Sequence, residues 1–274
     1  MDTKIYNIYK ETKIQYLKDT KATLTSYIPE YNTEMGNIKR HTVLVIPGGG
    51  YDRVSKREGE PVALYYLSLG YNVFVLDYTT KEKEVRKFPY QLLESMAAVI
   101  LVNKITTQYD GTRNDISVVG FSAGGHLACS LGLLGNNEKF KKMLDVSEDI
   151  KVKNMILAYP VISHNVPTHE GSFNNLVSTE YSYSDISLEQ YVKEDSPSLF
   201  IWATSTDESV PIQNTLVLCH KYAVLKKKFE LHIYEKGNHG LSLATMQVCA
   251  NYKELDPNIK DWIRLSSCFI EKQE

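Results

Sequence analysis

The sequence is short of the features that would place it in several large classes of protein. Its four cysteines, Cys129, Cys219, Cys249 and Cys268, form no C-x-x-C pair. Zinc sites and dithiol redox motifs depend on that spacing, so neither is expected, and the thiols should act as small apolar side chains in a reducing compartment. No stretch approaches the roughly 18 consecutive apolar residues of a membrane-spanning helix. The opening residues Met1-Asp2-Thr3-Lys4-Ile5-Tyr6-Asn7 lack the apolar centre of a secretory signal, which predicts a cytoplasmic location and no membrane partner. Charge is nearly balanced, 31 Lys and Arg against 33 Asp and Glu, a net −2. A nucleic-acid partner normally requires a strongly basic face, so none is expected. The run Lys226-Lys227-Lys228 reads as a solvated helix end. There is no internal repeat, no low-complexity linker and no G-x-x-x-x-G-K-[ST] or G-x-G-x-x-G phosphate fingerprint.

What remains is an ordinary globular composition, 43% hydrophobic and 23% charged over 274 residues. That length buries a core without help from disulfides or metals. Residues 1–274 read as one α/β domain. Near the N-terminus, Thr12–Leu17 and Ala22–Tyr27 alternate polar and apolar residues, the period of half-buried strands at an antiparallel edge. Apolar runs follow at His41–Ile46, Tyr71–Leu76, Asp115–Val119, Lys153–Ala158 and Ser198–Trp202, with an alternating strand at Phe229–Tyr234. Strands apolar on both faces belong to a parallel sheet covered by helices. Helical spacing recurs at Glu60–Leu69, Tyr90–Lys104, Gly124–Leu134, Ile212–Leu225 and Leu241–Tyr252. The alternation predicts a mostly parallel, doubly wound sheet. The polar stretch 163–194 reads as a lid or long loop inserted over a site.

Gly120-Phe121-Ser122-Ala123-Gly124-Gly125-His126 directly follows a predicted strand and opens a helix of small residues. This is the strand–turn–helix setting that a G-x-S-x-G nucleophile elbow requires. The turn is so tight that side chains two residues either side of the serine would clash, and Gly120 and Gly124 remove them. Ser122 is thereby lifted above the sheet at the positive end of a helix. An acyl-transfer serine also needs oxyanion donors. Ala123 follows the nucleophile, and Pro47-Gly48-Gly49-Gly50-Tyr51 ends an earlier strand where an HGGG-type loop belongs, so Gly49, Gly50 and Ala123 are the candidate donors.

A general base must be a histidine that follows the acid in the chain. Six histidines follow Ser122. His126 lies on the elbow helix, His164 and His169 precede a plausible acid, His220 sits in mid-helix and His232 lies within a strand. His239 alone follows a strand in a loop, Lys236-Gly237-Asn238-His239-Gly240. The acid should stand past the end of the preceding strand, where Asp207 lies. Glu208 is its neighbour and rival, and Asp195 precedes the strand. Tyr51 and Tyr159 are candidates for lining a substrate pocket.

In order along the chain, Pro47-Gly48-Gly49-Gly50-Tyr51, Arg57-Glu58, Gly70-Tyr71, the elbow, Ala158-Tyr159-Pro160-Val161, Asp195-Ser196-Pro197, the Asp207 loop and Asn238-His239-Gly240-Leu241 resemble bacterial α/β-hydrolase esterases. Within that group the similarity is to acetyl esterases and acetylxylan-esterase-like enzymes, often labelled sugar hydrolases, over roughly residues 20–250. The resemblance implies the α/β-hydrolase fold and hydrolysis of short acyl esters, often acetyl groups on sugars. It implies Ser122, Asp207 and His239 as the triad, Gly49, Gly50 and Ala123 as the oxyanion hole, and no metal or cofactor. The expected partner is a small-molecule ester, with a homo-oligomer possible. Many relatives carry His where this chain has Pro47, which leaves the backbone donors in place and changes how their loop is anchored. A serine peptidase or a formamidase on the same scaffold, and a non-catalytic binding protein, are the alternatives. No acidic pair for binding an amine is evident, and a binding module has no need of all three triad residues.

Overall fold

Alternating side chains along the strands build a core on each face of a single sheet. In the computed structural model, which describes residues 2–30, 34, 39–109 and 112–272, the strands are β1 (Asp2–Asn7), β2 (Thr23–Ile28), β3 (Arg40–Ile46), β4 (Asn72–Asp77), β5 (Thr112–Phe121), β6 (Val152–Ala158), β7 (Ser198–Thr204) and β8 (Phe229–Tyr234). The helices are α1 (Ile8–Thr12), α2 (Glu60–Ser68), α3 (Tyr90–Thr106), α4 (Ser122–Leu134), α5 (Glu138–Leu144), α6 (Glu170–Leu176), α7 (Gln213–Val224) and α8 (Trp262–Lys272). Leu44, Ile46, Val118, Met155, Leu157, Leu199 and Ile201 pack on one side with Leu92, Met96, Leu127, Leu131 and Leu218 of α3, α4 and α7. Their neighbours Val43, Val45, Val119, Ile156, Phe200 and Trp202 pack on the other with Val62, Tyr66, Trp262 and Ile263 of α2 and α8. Period-two residues buried on both faces are what a sheet sandwiched between helices demands.

The strand order is β1-β2-β4-β3-β5-β6-β7-β8. Pairings from β4 through β8 are parallel, and β1 and β2 form the antiparallel edge. The chain leaves β3 towards β4 on one side and returns to β5 on the other. In open α/β sheets such a divergence opens a crevice at the carboxyl ends of the two strands. The Gly48–Gly50 loop follows β3 and Ser122 follows β5, so the two meet at that crevice.

The structure departs from the sequence reading in two segments. Thr12–Leu17 is not a strand. Lys13 adopts a left-handed φ of 60° that ends α1, and a 3-10 turn occupies Gln15–Leu17. The edge partner of β2 is instead β1. Leu241–Tyr252 is not a helix either. Ser242 and Ala244 have φ of 52° and 51°, which an α-helix does not accept, and the segment runs as turns that bury Leu241, Leu243, Ala244 and Val248. The helix covering that face is α8, whose buried residues Trp262, Ile263, Ser266, Ser267, Phe269 and Ile270 follow helical spacing.

The 163–194 segment is fastened to the body. Phe173, Leu176, Ile186 and Leu188 are buried in the core. Asn214 of α7 accepts from the Ile162 and Ser163 amides at 2.8 and 3.1 Å. His126 donates from Nε2 to the Ile186 carbonyl at 2.8 Å. No helix among the described residues is long and apolar enough to cross a membrane. Cys129 and Cys219 are buried and Cys249 and Cys268 half-buried, all as free thiols.

Candidate active site

Ser122 is the pivot between β5 and α4, with φ of 52°. A left-handed serine costs of order 1–2 kcal/mol, so the surroundings must hold it. Its carbonyl accepts from the Val161 amide at 3.1 Å. The start of α4 is pressed against the end of β3. A Cβ on Gly124 would stand 2.2 Å from both the Ile46 and the Pro47 carbonyl oxygens. Glycine is therefore a steric requirement there, and the close approach sets Ser122 beside the loop that follows β3.

His239 lies in the loop after β8. Its Nε2 stands 2.7 Å from Ser122 Oγ, and its Nδ1 stands 2.7 Å from Asp207 Oδ2. The loop is fixed by the Thr204 hydroxyl, which donates to the Gly237 carbonyl at 2.7 Å. Asp207 follows β7 with its side chain only 1% exposed. Its second oxygen, Oδ1, accepts from the Ser209 and Val210 amides at 2.9 Å each, so both carboxylate oxygens are engaged and its orientation is over-determined. Glu208 points to solvent, and Asp195 pairs at the surface with Lys193.

The amides of Gly49 and Gly50 make no hydrogen bond among the described residues, and their φ values of 121° and 67° turn the chain sharply at that point. Ala123 lies in the first turn of α4, where an amide has no partner within the helix. Gly48 is different, because its N–H donates to Glu58 Oε2 at 2.9 Å. The loop carbonyl at Pro47 accepts from the buried Tyr78 hydroxyl at 2.9 Å. Glu58 and Tyr78 are thus the anchors of this loop, whose first residue is Pro47.

Glu58 ties more than that loop. It is buried, and its Oε1 accepts from the Tyr159 hydroxyl at 2.7 Å. Tyr159 in turn accepts from the Ser242 amide at 2.9 Å, and its ring meets the His239 imidazole edge-on at 5.0 Å. Burial pushes the Tyr159 hydroxyl well above its ordinary pKa, so it remains a donor. One buried carboxylate therefore connects the loop after β3 with the segment that follows His239.

A cavity of about 560 Å³ opens over these groups, lined by Gly49, Gly50, Asp52, Arg53, Ser55, Arg57, Glu58, Ser122, His169, Gly171, Asn175, Ser209, His239 and Gly240. Tyr51 and Tyr159 do not line it, contrary to the expectation from sequence. Each is 2% exposed. Tyr51 turns inward, where its hydroxyl meets His126 Nδ1 at 2.9 Å, and Tyr159 lies beneath His239. Since His126 donates from Nε2 to Ile186, Nδ1 is the acceptor for Tyr51, and burial holds the imidazole neutral with a pKa lowered to about 4. The remaining histidines stand elsewhere: His164 stacks on Tyr183, His220 is exposed, and His232 pairs with Glu230.

Glu58, Tyr78, His169 and Asn175 were given no role by the sequence. Glu58, Tyr78 and Asn175 hydrogen-bond partners distant in the chain, His169 is brought to the cavity by the fold, and only the pairing of Arg57-Glu58 with the glycine loop hinted at one of them. No group of three or more His, Cys, Asp or Glu able to hold a metal occurs among the described residues.

The family profile BD-FAE matches residues 27–222, a span that includes Ser122 and Asp207. The chain belongs to the BD-FAE family. Among curated relatives, this BD-FAE chain is similar to endo-1,4-beta-xylanase B of Butyrivibrio fibrisolvens, with 32% identity over 244 residues, 87% of this chain and 38% of that protein. It therefore spans well under half the length of that relative. Among solved structures it is similar to MGS-M1, an alpha/beta hydrolase enzyme from a Medee basin deep-sea metagenome library, with a TM-score of 0.79 and 29% identity over 100% of this chain and 98% of that one. It is also similar to the acetyl ester-xyloside bifunctional hydrolase of Caldicellulosiruptor lactoaceticus, with a TM-score of 0.75 and 30% identity over 92% of this chain and 88% of that one. The fold of this BD-FAE chain is the α/β-hydrolase fold.

Proposed function

We propose that this chain is a serine esterase that removes short acyl groups, acetyl foremost, from small sugars or oligosaccharides through an acyl-enzyme on Ser122. The observation that carries the reading is the chain of two 2.7 Å contacts from Asp207 through His239 to Ser122, on one cavity with the Gly49 and Gly50 amides, which have no hydrogen-bond partner among the described residues. Asp207 holds the Nδ1–H tautomer of His239, leaving Nε2 to take the Ser122 proton as the hydroxyl attacks the ester carbonyl. The resulting oxyanion is received by the N–H groups of Gly49, Gly50 and Ala123. His239 then protonates the departing alcohol. Water, deprotonated by the same imidazole, releases the carboxylic acid from Ser122.

The lining of the cavity supports the choice of acyl group and alcohol. Every lining residue is polar, charged or glycine. A long acyl chain would gain about 0.8 kcal/mol for each methylene it buried against apolar side chains, and no Leu, Ile, Val, Met, Phe or Trp lines this cavity. A polyol finds donors and acceptors instead. The volume of about 560 Å³ lies within the roughly 300–1,000 Å³ of small-ligand sites, which suits a small sugar ester. The acetyl ester and xyloside chemistry in the name of the Caldicellulosiruptor lactoaceticus relative points the same way.

Hydrolysis of p-nitrophenyl esters from two to twelve carbons, with wild type beside Ser122→Ala, tests the reading. Activity should peak at acetate and vanish in the variant, and acetate should be released from acetylated xylo-oligosaccharides. A peak at long chains contradicts the short-acyl assignment, and no turnover of any ester contradicts the esterase itself.

A further inference from the structure

His169 sits at the start of α6, in the segment that covers the site, and lines the cavity shared by Ser122 and His239. Its Nδ1 caps α6: the Ser172 amide donates to it at 3.1 Å, and the Ser172 hydroxyl lies 2.9 Å away. A ring nitrogen that accepts a backbone N–H carries a lone pair, so in the neutral ring the proton resides on Nε2. Partial burial and the neighbouring His239 both hold the ring towards its neutral form. The cap thereby fixes the tautomer. Among the described residues Nε2 makes no hydrogen bond, and it is not sealed from solvent.

The ring is held against the candidate oxyanion loop. A Cβ on Gly50 would stand 3.5 Å from His169 Cε1. From the other end of α6, Asn175 donates to the Gly50 carbonyl at 3.0 Å. The same short helix therefore fastens Gly50 by its carbonyl and sets the His169 ring beside it, in the lining of the cavity shared with Ser122 and His239. The acyl carbonyl is served by the backbone amides, and its alcohol oxygen by His239. The donor on His169 has neither task.

Resting on the esterase reading above, we propose that His169 determines specificity, donating from Nε2 to a hydroxyl or ring oxygen of the sugar next to the ester. A polyol acetate completes the bond, and an ester whose alcohol carries no oxygen on the atoms next to the ester leaves the donor to water. A site that places a polar group for a substrate oxygen discriminates against analogues lacking it.

The test uses two variants and two substrates. In His169→Asn the shorter amide keeps an acceptor where Nδ1 stands, preserving the cap, and deletes the distal donor. In His169→Gln the longer amide restores a donor near the Nε2 position and sacrifices the cap. The substrates are a monoacetylated methyl β-xyloside and p-nitrophenyl acetate. His169→Asn should lower kcat/KM roughly 5-fold to 10-fold on the xyloside, the scale of one neutral hydrogen bond, and change p-nitrophenyl acetate by less than about twofold. His169→Gln should recover most of the xyloside rate. Equal losses on both substrates, or no loss on the xyloside, overturn the proposal while leaving the esterase intact. A wild type inert towards both substrates overturns the esterase reading and this proposal with it. A wild type that cleaves p-nitrophenyl acetate and spares the xyloside ester overturns the assignment to sugars and this proposal with it, while leaving the esterase intact.

Discussion

Replacing Glu58 probes how the site is held rather than what reacts in it. The side chain is 4% exposed and has two dependents, the Gly48 amide at 2.9 Å and the Tyr159 hydroxyl at 2.7 Å. A glutamine at this position keeps one acceptor oxygen and presents an amide N–H₂ to the other donor, so one bond is lost and one buried donor is left unpaired. Such a loss costs about 1–3 kcal/mol. Glu58→Ala strands both donors and should cost about 2–6 kcal/mol. The kinetic effect follows from position: Gly48 precedes the two amides assigned to the oxyanion, and a misplacement of about 1 Å can lower a rate 10²-fold. Glu58→Gln should therefore reduce kcat for p-nitrophenyl acetate by about 10-fold to 10²-fold, with KM little changed. Tyr159→Phe removes the bond from the other side. Measured by thermal unfolding and by kcat/KM, the double variant should fall short of the sum of the singles by about 0.5–3 kcal/mol, as groups in one network do. Wild-type kcat in Glu58→Gln, or strict additivity with Tyr159→Phe, would refute this role.

Asp207→Asn leaves the loop held through the Ser209 and Val210 amides and disturbs the tautomer of His239. kcat should drop about 10⁴-fold while the unfolding midpoint stays near that of wild type. Gly124→Ala places a methyl 2.2 Å from two carbonyl oxygens, forcing α4 away from β3. Ester hydrolysis should fall by more than about 10², whereas Gly240→Ala, with nothing within 4 Å, should cost only the strain of its positive φ, about 1–2 kcal/mol by denaturant unfolding. Glu94 is buried beneath Thr20 and Thr79, and burial pushes its pKa up to about 7. A carboxyl raised in the folded state contributes most below its ordinary value of 4.5, and that contribution, about 3 kcal/mol, is lost as pH rises through about 7. Glu94→Gln should flatten the decline in unfolding free energy between pH 4.5 and 8, and a variant that keeps the wild-type slope contradicts this assignment of the titrating group.

The parallel strands β3 to β7 were legible because each is a mostly apolar run bounded by polar or glycine-rich turns, β8 by its alternation, and the elbow because its glycines answer a local steric demand. The same locality explains the errors. Leu241–Tyr252 has helical spacing of apolar residues, yet those residues are buried from an irregular path set by Ser242 and Ala244 in left-handed conformations. Thr12–Leu17 alternates because a helix end and a 3-10 turn happen to expose Tyr16 between buried Ile14 and Leu17. Ser122, His239 and Asp207 could be picked out by chain order and loop position. Tyr51 and Tyr159 could not be placed, since whether a tyrosine faces a cavity or lies beneath it depends on partners such as His126 and Glu58, 75 and 101 residues away. The anchoring of the glycine loop by Tyr78 and Glu58 was invisible for the same reason.

Trapping the acyl-transfer residue tests the central claim most directly. Wild type, Ser122→Ala and His239→Ala would each be treated with a fluorophosphonate and mapped by peptide mass spectrometry. The expected result is one stoichiometric adduct on Ser122 in wild type, none in Ser122→Ala and strongly slowed labelling in His239→Ala, in parallel with loss of ester hydrolysis. An adduct on another residue, or ester hydrolysis that survives in Ser122→Ala, would contradict the account.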